Sequence, residues 1–162
     1  MLKLQYTKLF PEAGCDEAGR GCLSGPVVAG AVILDPKNPI HGLNDSKKLS
    51  KKSREKLSLE IKEKALAWAV GEVDHQEIDN INILNASFLA MHRAVDQLAI
   101  SPKILLIDGN RFTEYANIPH ETIIKGDGKV ACIAAASILA KTHRDLLMDK
   151  FDEKYPGYGW ST

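Results

Sequence analysis

The segment Lys103–Ile107 is short and, after its first residue, wholly apolar. It lies between the chain-breaking pair Ser101-Pro102 and the turn-forming pair Asp108-Gly109. Short continuous apolar segments of this kind are typical of strands that are buried on both faces of a sheet. A strand buried in this way needs a layer of other elements on each side. The segment therefore predicts an α/β domain with a central sheet covered on both faces.

The rest of the chain contains further strand patterns and three helical patterns. β-Branched and apolar segments predict strands at Leu9–Asp16, Val27–Leu34, Ala67–Val73 and Thr122–Ile124. Apolar residues at spacings of three and four predict a helix that begins near a Ser53 cap and carries Leu57, Ile61, Ala65 and Trp68. The same pattern predicts helices at Asn85–Ala99 and about Val130–Tyr155. Strands followed by alternating strands and helices are typical of an α/β fold.

Length and composition limit the class of protein. A chain of 162 residues with equal numbers of acidic and basic residues predicts one globular domain, residues 1–162. No signal peptide or membrane span is visible, and three cysteines without metal-like spacing indicate free buried thiols, so we expect a cytoplasmic protein with no membrane partner. Basic residues cluster in two places: Lys47, Lys48, Lys51, Lys52, Arg54 and Lys56, then Lys141, His143 and Arg144. Such clusters belong either to a nucleic-acid surface or to a solvated helix face.

Four carboxylates lie at or near the ends of predicted strands. Asp16 and Glu17 close the first strand, Asp108 closes the buried strand, and Asp127 follows the last. Ligands of open α/β sheets bind beyond the carboxyl ends of the strands, so these side chains are expected to converge. Converging carboxylates repel one another unless cations lie among them, and an all-oxygen set favours Mg²⁺ or Mn²⁺ over Zn²⁺. Two such ions form the arrangement used in phosphodiester cleavage.

Each carboxylate also has a simpler interpretation. Asp108-Gly109 is an ordinary turn sequence, and Asp127 between glycines can form a turn or cap the long helix. Adjacent strand residues point to opposite faces, so Asp16 and Glu17 can share one site only if the chain bends at Glu17, which Ala18-Gly19 would allow.

Five sequence blocks resemble the ribonuclease HII family of bacteria, in the family's order and over most of the chain. They are Gly14-Cys15-Asp16-Glu17-Ala18-Gly19-Arg20-Gly21 with Gly25-Pro26-Val27-Val28-Ala29, Asn44-Asp45-Ser46-Lys47-Lys48-Leu49-Ser50, Ile107-Asp108-Gly109-Asn110, Lys125-Gly126-Asp127, and Ala134-Ala135-Ala136-Ser137-Ile138-Leu139-Ala140-Lys141. Arg20 between two glycines distinguishes this pattern from that of ribonuclease HIII.

The resemblance implies a ribonuclease H-like fold, a mixed five-stranded sheet flanked by helices. It implies a monomer that hydrolyses RNA in RNA–DNA hybrids and incises duplex DNA on the 5′ side of a single ribonucleotide, leaving 3′-hydroxyl and 5′-phosphate ends. The catalytic and metal-binding residues would be Asp16, Glu17, Asp108 and Asp127, with two ions of Mg²⁺ or Mn²⁺. Substrate-binding residues would be Gly19, Arg20, Gly21, Asn44, Ser46 and Lys47.

Family members typically continue past the position of Thr162 into a segment with a substrate-contacting tyrosine, so the resemblance also implies a chain shortened at its C-terminus. Tyr155 and Tyr158 precede that segment and are not assigned its role. Three alternatives stay open at this point: a fragment that binds hybrids without turnover, a junction resolvase on the same fold, and a phosphate-binding NTPase. The last is the weakest, because Gly126-Asp127-Gly128-Lys129 lacks the spacing of a phosphate-binding loop.

Overall fold

The structure is a computed structural model that describes residues 1–19 and 25–154. Five strands form one sheet with the order β3-β2-β1-β4-β5. The strands are β1 (Glu12–Ala18), β2 (Val27–Ile33), β3 (Ala67–Val73), β4 (Ile104–Asp108) and β5 (His120–Ile123). The helices are α1 (Lys51–Lys64), α2 (His75–Ile81), α3 (Ile83–Asp96) and α4 (Ala131–Lys154). A mixed five-stranded sheet flanked by helices confirms the predicted fold class.

The mixed topology brings the ends of two acid-bearing strands together. β1 pairs with β2 and β2 with β3 in antiparallel fashion, whereas β1–β4 and β4–β5 are parallel pairs. Because β1 and β4 run in the same direction, their carboxyl ends lie at one edge of the sheet. Cys15 is opposite Ile107 in the register, which leaves Asp16 and Asp108 as the next residues of the two strands.

Helices cover both faces of the sheet. On one face, α3 packs Ala86, Ala90 and Ala94 into a core cluster with β-strand residues that include Cys15 and Ile107. On the other face, α4 lies in two clusters, one with α1 and Val32 and another with Leu106 and Ile123. Side chains alternate between the two faces along β1, so Cys15 faces α3 whereas positions 14 and 16 face α4.

Helix α4 approaches the sheet very closely, and two glycines permit this approach. A Cβ atom at Gly14 of β1 would lie 2.3 Å from the carbonyl carbon of Cys132. A Cβ atom at Gly30 of β2 would lie 2.4 Å from the carbonyl oxygen of Ala136. Both contacts are with helix backbone, which cannot move aside as a flexible side chain can. The small residues at the start of α4 complete this close packing.

The structure corrects several predicted boundaries. α1 begins at Lys51 and is capped by Ser50, whose hydroxyl accepts a hydrogen bond from the Ser53 amide, so Ser53 is not the cap. Trp68 does not belong to the helical stripe; it lies on β3, after the helix has ended. α2 was not predicted, although Asp74 and Glu77 form a reciprocal capping box at its start.

The remaining strand and thiol predictions agree more closely with the structure. The limits of β3 are those predicted, while β1 and β5 each lie a few residues away from their predicted ranges. Cys15 and Cys132 are buried free thiols, as expected, and Cys22 lies outside the described residues. Burial raises the pKa of the Cys132 thiol to about 12 and raises that of Cys15 as well, so both thiols stay protonated and inert at neutral pH. Among the described residues, no helix is both long and apolar enough to cross a membrane.

The glycine contacts with α4 predict a large difference between two glycine-to-alanine substitutions. Gly30→Ala should destabilise the protein by about 1–3 kcal/mol or more, because the new methyl group overlaps the backbone of Ala136. Gly128→Ala is the matched control, since nothing lies within 4 Å of a Cβ at that position. Urea denaturation of both variants and the parent measures the difference. Equal stability of the two variants would contradict the proposed close packing of α4.

Candidate active site

Three of the four predicted carboxylates converge at the edge of the sheet. Asp16 comes from β1, Asp108 ends β4, and Asp127 lies in a 3₁₀ turn, Gly126–Gly128, between β5 and α4. One oxygen from each side chain lies within 4.8 Å of the others. Asp16 is buried, while Asp108 and Asp127 are partly exposed. The fold thus assembles a compact group of oxygen donors from segments far apart in the sequence.

The turn that carries Asp127 is fixed by local backbone geometry. Lys125 precedes it in the left-handed conformation, with φ of 56°. The Asp127 amide then donates a hydrogen bond of 3.3 Å to Oδ1 of Asp108. Gly126 lies close to α4, since a Cβ atom there would lie 2.7 Å from Cδ1 of Ile133, which a larger residue would have to displace. Asp127 forms no cap on α4 in this arrangement, since it belongs to the preceding turn.

The electrostatics of the group favour a positive counter-charge. Burial raises the pKa of Asp16 well above its ordinary value, and repulsion from Glu17, Asp108 and Asp127 raises it further. The hydrogen bond from the Glu17 amide to Oδ1 of Asp16, 2.8 Å long, acts in the opposite direction. Burial, followed by repulsion from Asp108 and Asp45, raises the pKa of Asp127 to about 6. A divalent cation would relieve this repulsion and keep the carboxylates ionised.

Glu17 occupies a different position from the other three acids. β1 continues in regular register through Glu17 and Ala18, which pair with Ala29 and Val28, so the bend expected at Glu17 does not occur. Glu17 therefore points to the α3 side of the sheet, opposite to Asp16. It lines a small pocket beside Phe88 and Met91 of α3 as well as the larger cavity over the acids. The two adjacent carboxylates border one cavity from opposite faces of the sheet edge.

The acids line an open cavity of about 660 Å³ whose lining also includes cations and hydroxyls. Its basic residues are Lys47 from the 3₁₀ turn Ser46–Lys48, Arg54 from α1 and Lys141 from α4. Ser46 and Ser137 also line the cavity, and their buried hydroxyls are hydrogen-bonded to each other at 2.8 Å. A cavity lined by both acids and cations suits a phosphodiester that must be both bound and cleaved.

The predicted substrate-binding residues fall into three groups. Gly19, Ser46 and Lys47 line the cavity of the acids. Asn44 does not: its Oδ1 accepts a hydrogen bond of 2.8 Å from the Asp45 amide, and it lines a separate pocket with the N-terminal residues. Arg20 and Gly21 lie outside the described residues.

Several residues of this region were not identified from the sequence. Asp45 lies close enough to Asp127 to raise its pKa, and its own carboxylate accepts the Lys47 amide at 3.0 Å. Asp45 lies between Asn44 and Ser46, two residues that the family resemblance assigns to substrate binding, and this position was the sequence signal for it. Ser137 was likewise inside a quoted block without an assigned role.

Arg144 was named from the sequence only as a member of the second basic cluster, without an assigned role. Its side chain is buried, and Nε donates a hydrogen bond of 3.0 Å to the carbonyl oxygen of Pro26. Its atoms also lie 2.3 Å from a Cβ at Gly19 and 3.2 Å from a Cβ at Gly25. Both glycines have positive φ, 97° and 87°, so each is required by conformation and by space. Arg144 thus supports both ends of the segment that follows Asp16 and Glu17.

The strand order, the mixed pairing and the carboxylates at the ends of β1 and β4 define a ribonuclease H-like fold with an acidic site of the kind found in metal-dependent nucleases. Solved structures share this architecture. Ribonuclease H2 from Pyrococcus horikoshii superposes with a TM-score of 0.78 at 30% identity, covering 91% of this chain and 78% of that protein. Ribonuclease HII of Archaeoglobus fulgidus, solved in a complex with PCNA, gives a TM-score of 0.79 at 29% identity and the same coverage.

Sequence comparison gives the family. The sequence model of ribonuclease HII matches residues 13–162. Ribonuclease HII of Bacteroides thetaiotaomicron is 64% identical over 163 residues, which cover 99% of this chain and 80% of the relative. The chain belongs to the ribonuclease HII family, and it is accordingly an endoribonuclease of ribonuclease H type 2, the class that cleaves RNA in RNA–DNA hybrids.

Repulsion within the acidic group predicts a pH-dependent gain in stability from Asp127→Asn in the metal-free protein. Folding raises the pKa of Asp127 from 3.8 to about 6, so the folded state holds this proton more tightly than the unfolded state does. The parent therefore loses stability as the pH rises from about 4 to about 6, and the variant escapes that loss. In a chelator, the Tm of Asp127→Asn minus that of the parent should be near zero at pH 3.5 and positive at pH 7.5.

Asp149→Asn is a suitable control for this experiment, because Asp149 lies on α4 beside Lys51 and does not line the cavity. Its Tm difference should show no such rise between pH 4 and 6. A Tm difference for Asp127→Asn that is constant across the pH range would contradict the electrostatic interpretation.

Proposed function

We propose that this chain hydrolyses the RNA strand of RNA–DNA hybrids and incises duplex DNA on the 5′ side of a single embedded ribonucleotide, with two divalent ions, Mg²⁺ or Mn²⁺. The observation that carries the proposal is the convergence of Asp16, Asp108 and Asp127, with one oxygen from each within 4.8 Å of the others. Membership of the ribonuclease HII family supports it. The 5′ incision, the metal dependence and the products, a 3′-hydroxyl and a 5′-phosphate, are the parts to be tested.

The residues present fit a hard divalent ion. Every donor in the group is a carboxylate oxygen, and the cavity lining contains no histidine or cysteine among the described residues. Oxygen-only donor sets of this kind are preferred by Mg²⁺ and Mn²⁺. When bound, such ions lower the pKa of a coordinated water, which makes it a nucleophile near neutral pH. They also neutralise charge on the departing 3′-oxygen.

The protein's own residues perform the binding and positioning. Asp16, Asp108 and Asp127 would hold the ions at the end of β4, and Glu17 would add a carboxylate from the α3 side. Lys47 and Ser46 would contact backbone phosphates, which position a duplex without reading its bases. Gly19 lines the same cavity, and its backbone would lie beside the bound strand. Recognition of the 2′-hydroxyl by Arg20 and Gly21 is proposed from the family resemblance.

A nicking assay tests the proposal directly. We expect the chain to cut a labelled DNA duplex that contains one ribonucleotide, at the 5′ side of that ribonucleotide, when magnesium or manganese is present. Asp16→Asn should lower kcat by on the order of 100-fold or more, because it removes a charged ligand from the site. Asp149→Asn is the matched control, because it is the same substitution at a residue of α4 that does not line the cavity. It should retain the parent rate.

Several results would contradict parts of this proposal. Equal cutting of an all-DNA duplex would exclude the ribonuclease activity, and preferential cutting of branched DNA would favour a junction resolvase. Full activity in a chelator would exclude the metal requirement. Binding of the duplex without nicking at any metal concentration would indicate a hybrid-binding chain without turnover. The monomeric state and the cytoplasmic location inferred from the sequence stay predictions.

A further inference from the structure

The cavity over the acids has a wall of positive charge, formed by Lys47, Arg54 and Lys141, which we call the cationic wall. These three side chains come from the 3₁₀ turn before α1, from α1 itself and from α4. From the sequence, Lys141 belongs to a basic cluster that lies either on a nucleic-acid surface or on a solvated helix face. The position of Lys141 in the cavity lining permits a choice between these two roles.

One face of α4 contacts each part of the cationic wall. Ser137, Lys141 and Asp145 are spaced four residues apart, so they lie along the same side of the helix. Ser137 meets the hydroxyl of Ser46 next to Lys47, which joins α4 to the 3₁₀ turn. Nζ of Lys141 lies 3.1 Å from Oδ1 of Asp145. Asp145 is in turn 3.6 Å from Nη2 of Arg54, so its carboxylate lies between two cations.

Arg54 and Lys141 differ in how firmly they are held. Nη1 of Arg54 donates hydrogen bonds to the carbonyl oxygens of Ser46 (3.2 Å) and Leu49 (2.8 Å). Its side chain is only 14% exposed, so it is a fixed support for the 3₁₀ turn. The Lys141 side chain is 40% exposed and forms an ion pair with Asp145. Such a pair contributes about 0–1 kcal/mol, and lysine preceding the acid is the weaker orientation in a helix.

From this arrangement we propose that Lys141 binds a backbone phosphate of the nucleic-acid duplex whose strand lies over Asp16, Asp108 and Asp127. The proposal rests on the proposed function, because it needs a duplex in the cavity. A strand that places one phosphate at the acids must place neighbouring phosphates against the cavity walls. Lys141 lines the cavity and can exchange a weak ion pair for a phosphate contact.

The test measures the salt dependence of duplex binding. The probe is a fluorescein-labelled all-DNA duplex, which the proposed ribonuclease does not cut, so anisotropy can be recorded with magnesium present. Loss of one phosphate contact lowers the magnitude of the slope of log K against log salt by roughly 0.9. Lys141→Gln should show this loss, weaker binding and a raised KM on the ribonucleotide-containing duplex, whereas Lys141→Arg should restore the slope.

Lys51→Gln is the matched control. Lys51 is also a lysine paired with an α4 carboxylate, Asp149 at 3.8 Å, but its side chain is 58% exposed and does not line the cavity. Its substitution should leave the slope and KM unchanged. An equal change of slope in Lys51→Gln and Lys141→Gln would overturn the proposal, because it would indicate a general effect of net charge.

A second variant separates phosphate binding from a structural role in the pair with Asp145. If Lys141 only balances Asp145, Lys141→Gln and Asp145→Asn will both lower Tm and Lys141→Gln will leave the slope unchanged, which overturns the proposal. If the proposal is correct, Lys141→Gln lowers the slope equally in the Asp145→Asn background. If Lys141→Gln lowers the slope but the parent chain does not nick the ribonucleotide-containing duplex, the Lys141 contact is supported and the proposed function is contradicted.

Discussion

The close approach of α4 to the sheet is the constraint on which the site depends. Because Gly14 and Gly30 have no side chains, the helix backbone can occupy the space that a Cβ atom at either position would take. The start of α4 also lies against the turn that carries Asp127, and the Val130 amide donates a hydrogen bond to the Gly126 carbonyl oxygen. Further along, the same helix places Ser137 and Lys141 in the cavity and Arg144 beneath Gly19. One packing contact therefore sets the distance between the acids, the cations and the segment after Glu17.

The acidic group is maintained against its own repulsion by backbone structure. Asp16 is held in the middle of paired strands, and Asp108 ends a strand buried between helices, so neither residue can move apart to relieve the repulsion. Burial and this repulsion together raise the pKa values of Asp16 and Asp127. A rigid group of unfavourable charges is suited to binding a cation, because no reorganisation is needed when the cation arrives. Stability of the free protein and affinity for metal are thus opposed at these positions.

Local patterns in the sequence predicted the parts of the fold that depend on local interactions. The buried β4, the limits of β3 and the approximate extent of α3 and α4 follow from short-range periodicity. The rule that ligands bind at strand ends led to Asp108 and Asp127, and the family resemblance added Ser46 and Lys47. The sequence placed Arg144 in a basic cluster but could not give its role, because its partner Pro26 is 118 residues distant. Asn44 was assigned from its motif, but its side chain bonds to its neighbour's backbone and does not reach the cavity of the acids.

The position of Glu17 shows why adjacency in the sequence does not imply equivalence in the site. Regular pairing through Ala18 directs Asp16 towards α4 and Glu17 towards α3. Asp108 lines both the large cavity and the small pocket beside α3, so it lies between the two sides of the sheet edge. Asp127 and Lys47 belong only to the α4 side among the described pocket linings. A cation bound among these acids would accordingly have unequal surroundings, with Asp16 and Asp127 on the α4 side and with Glu17 and Asp108 bordering both sides.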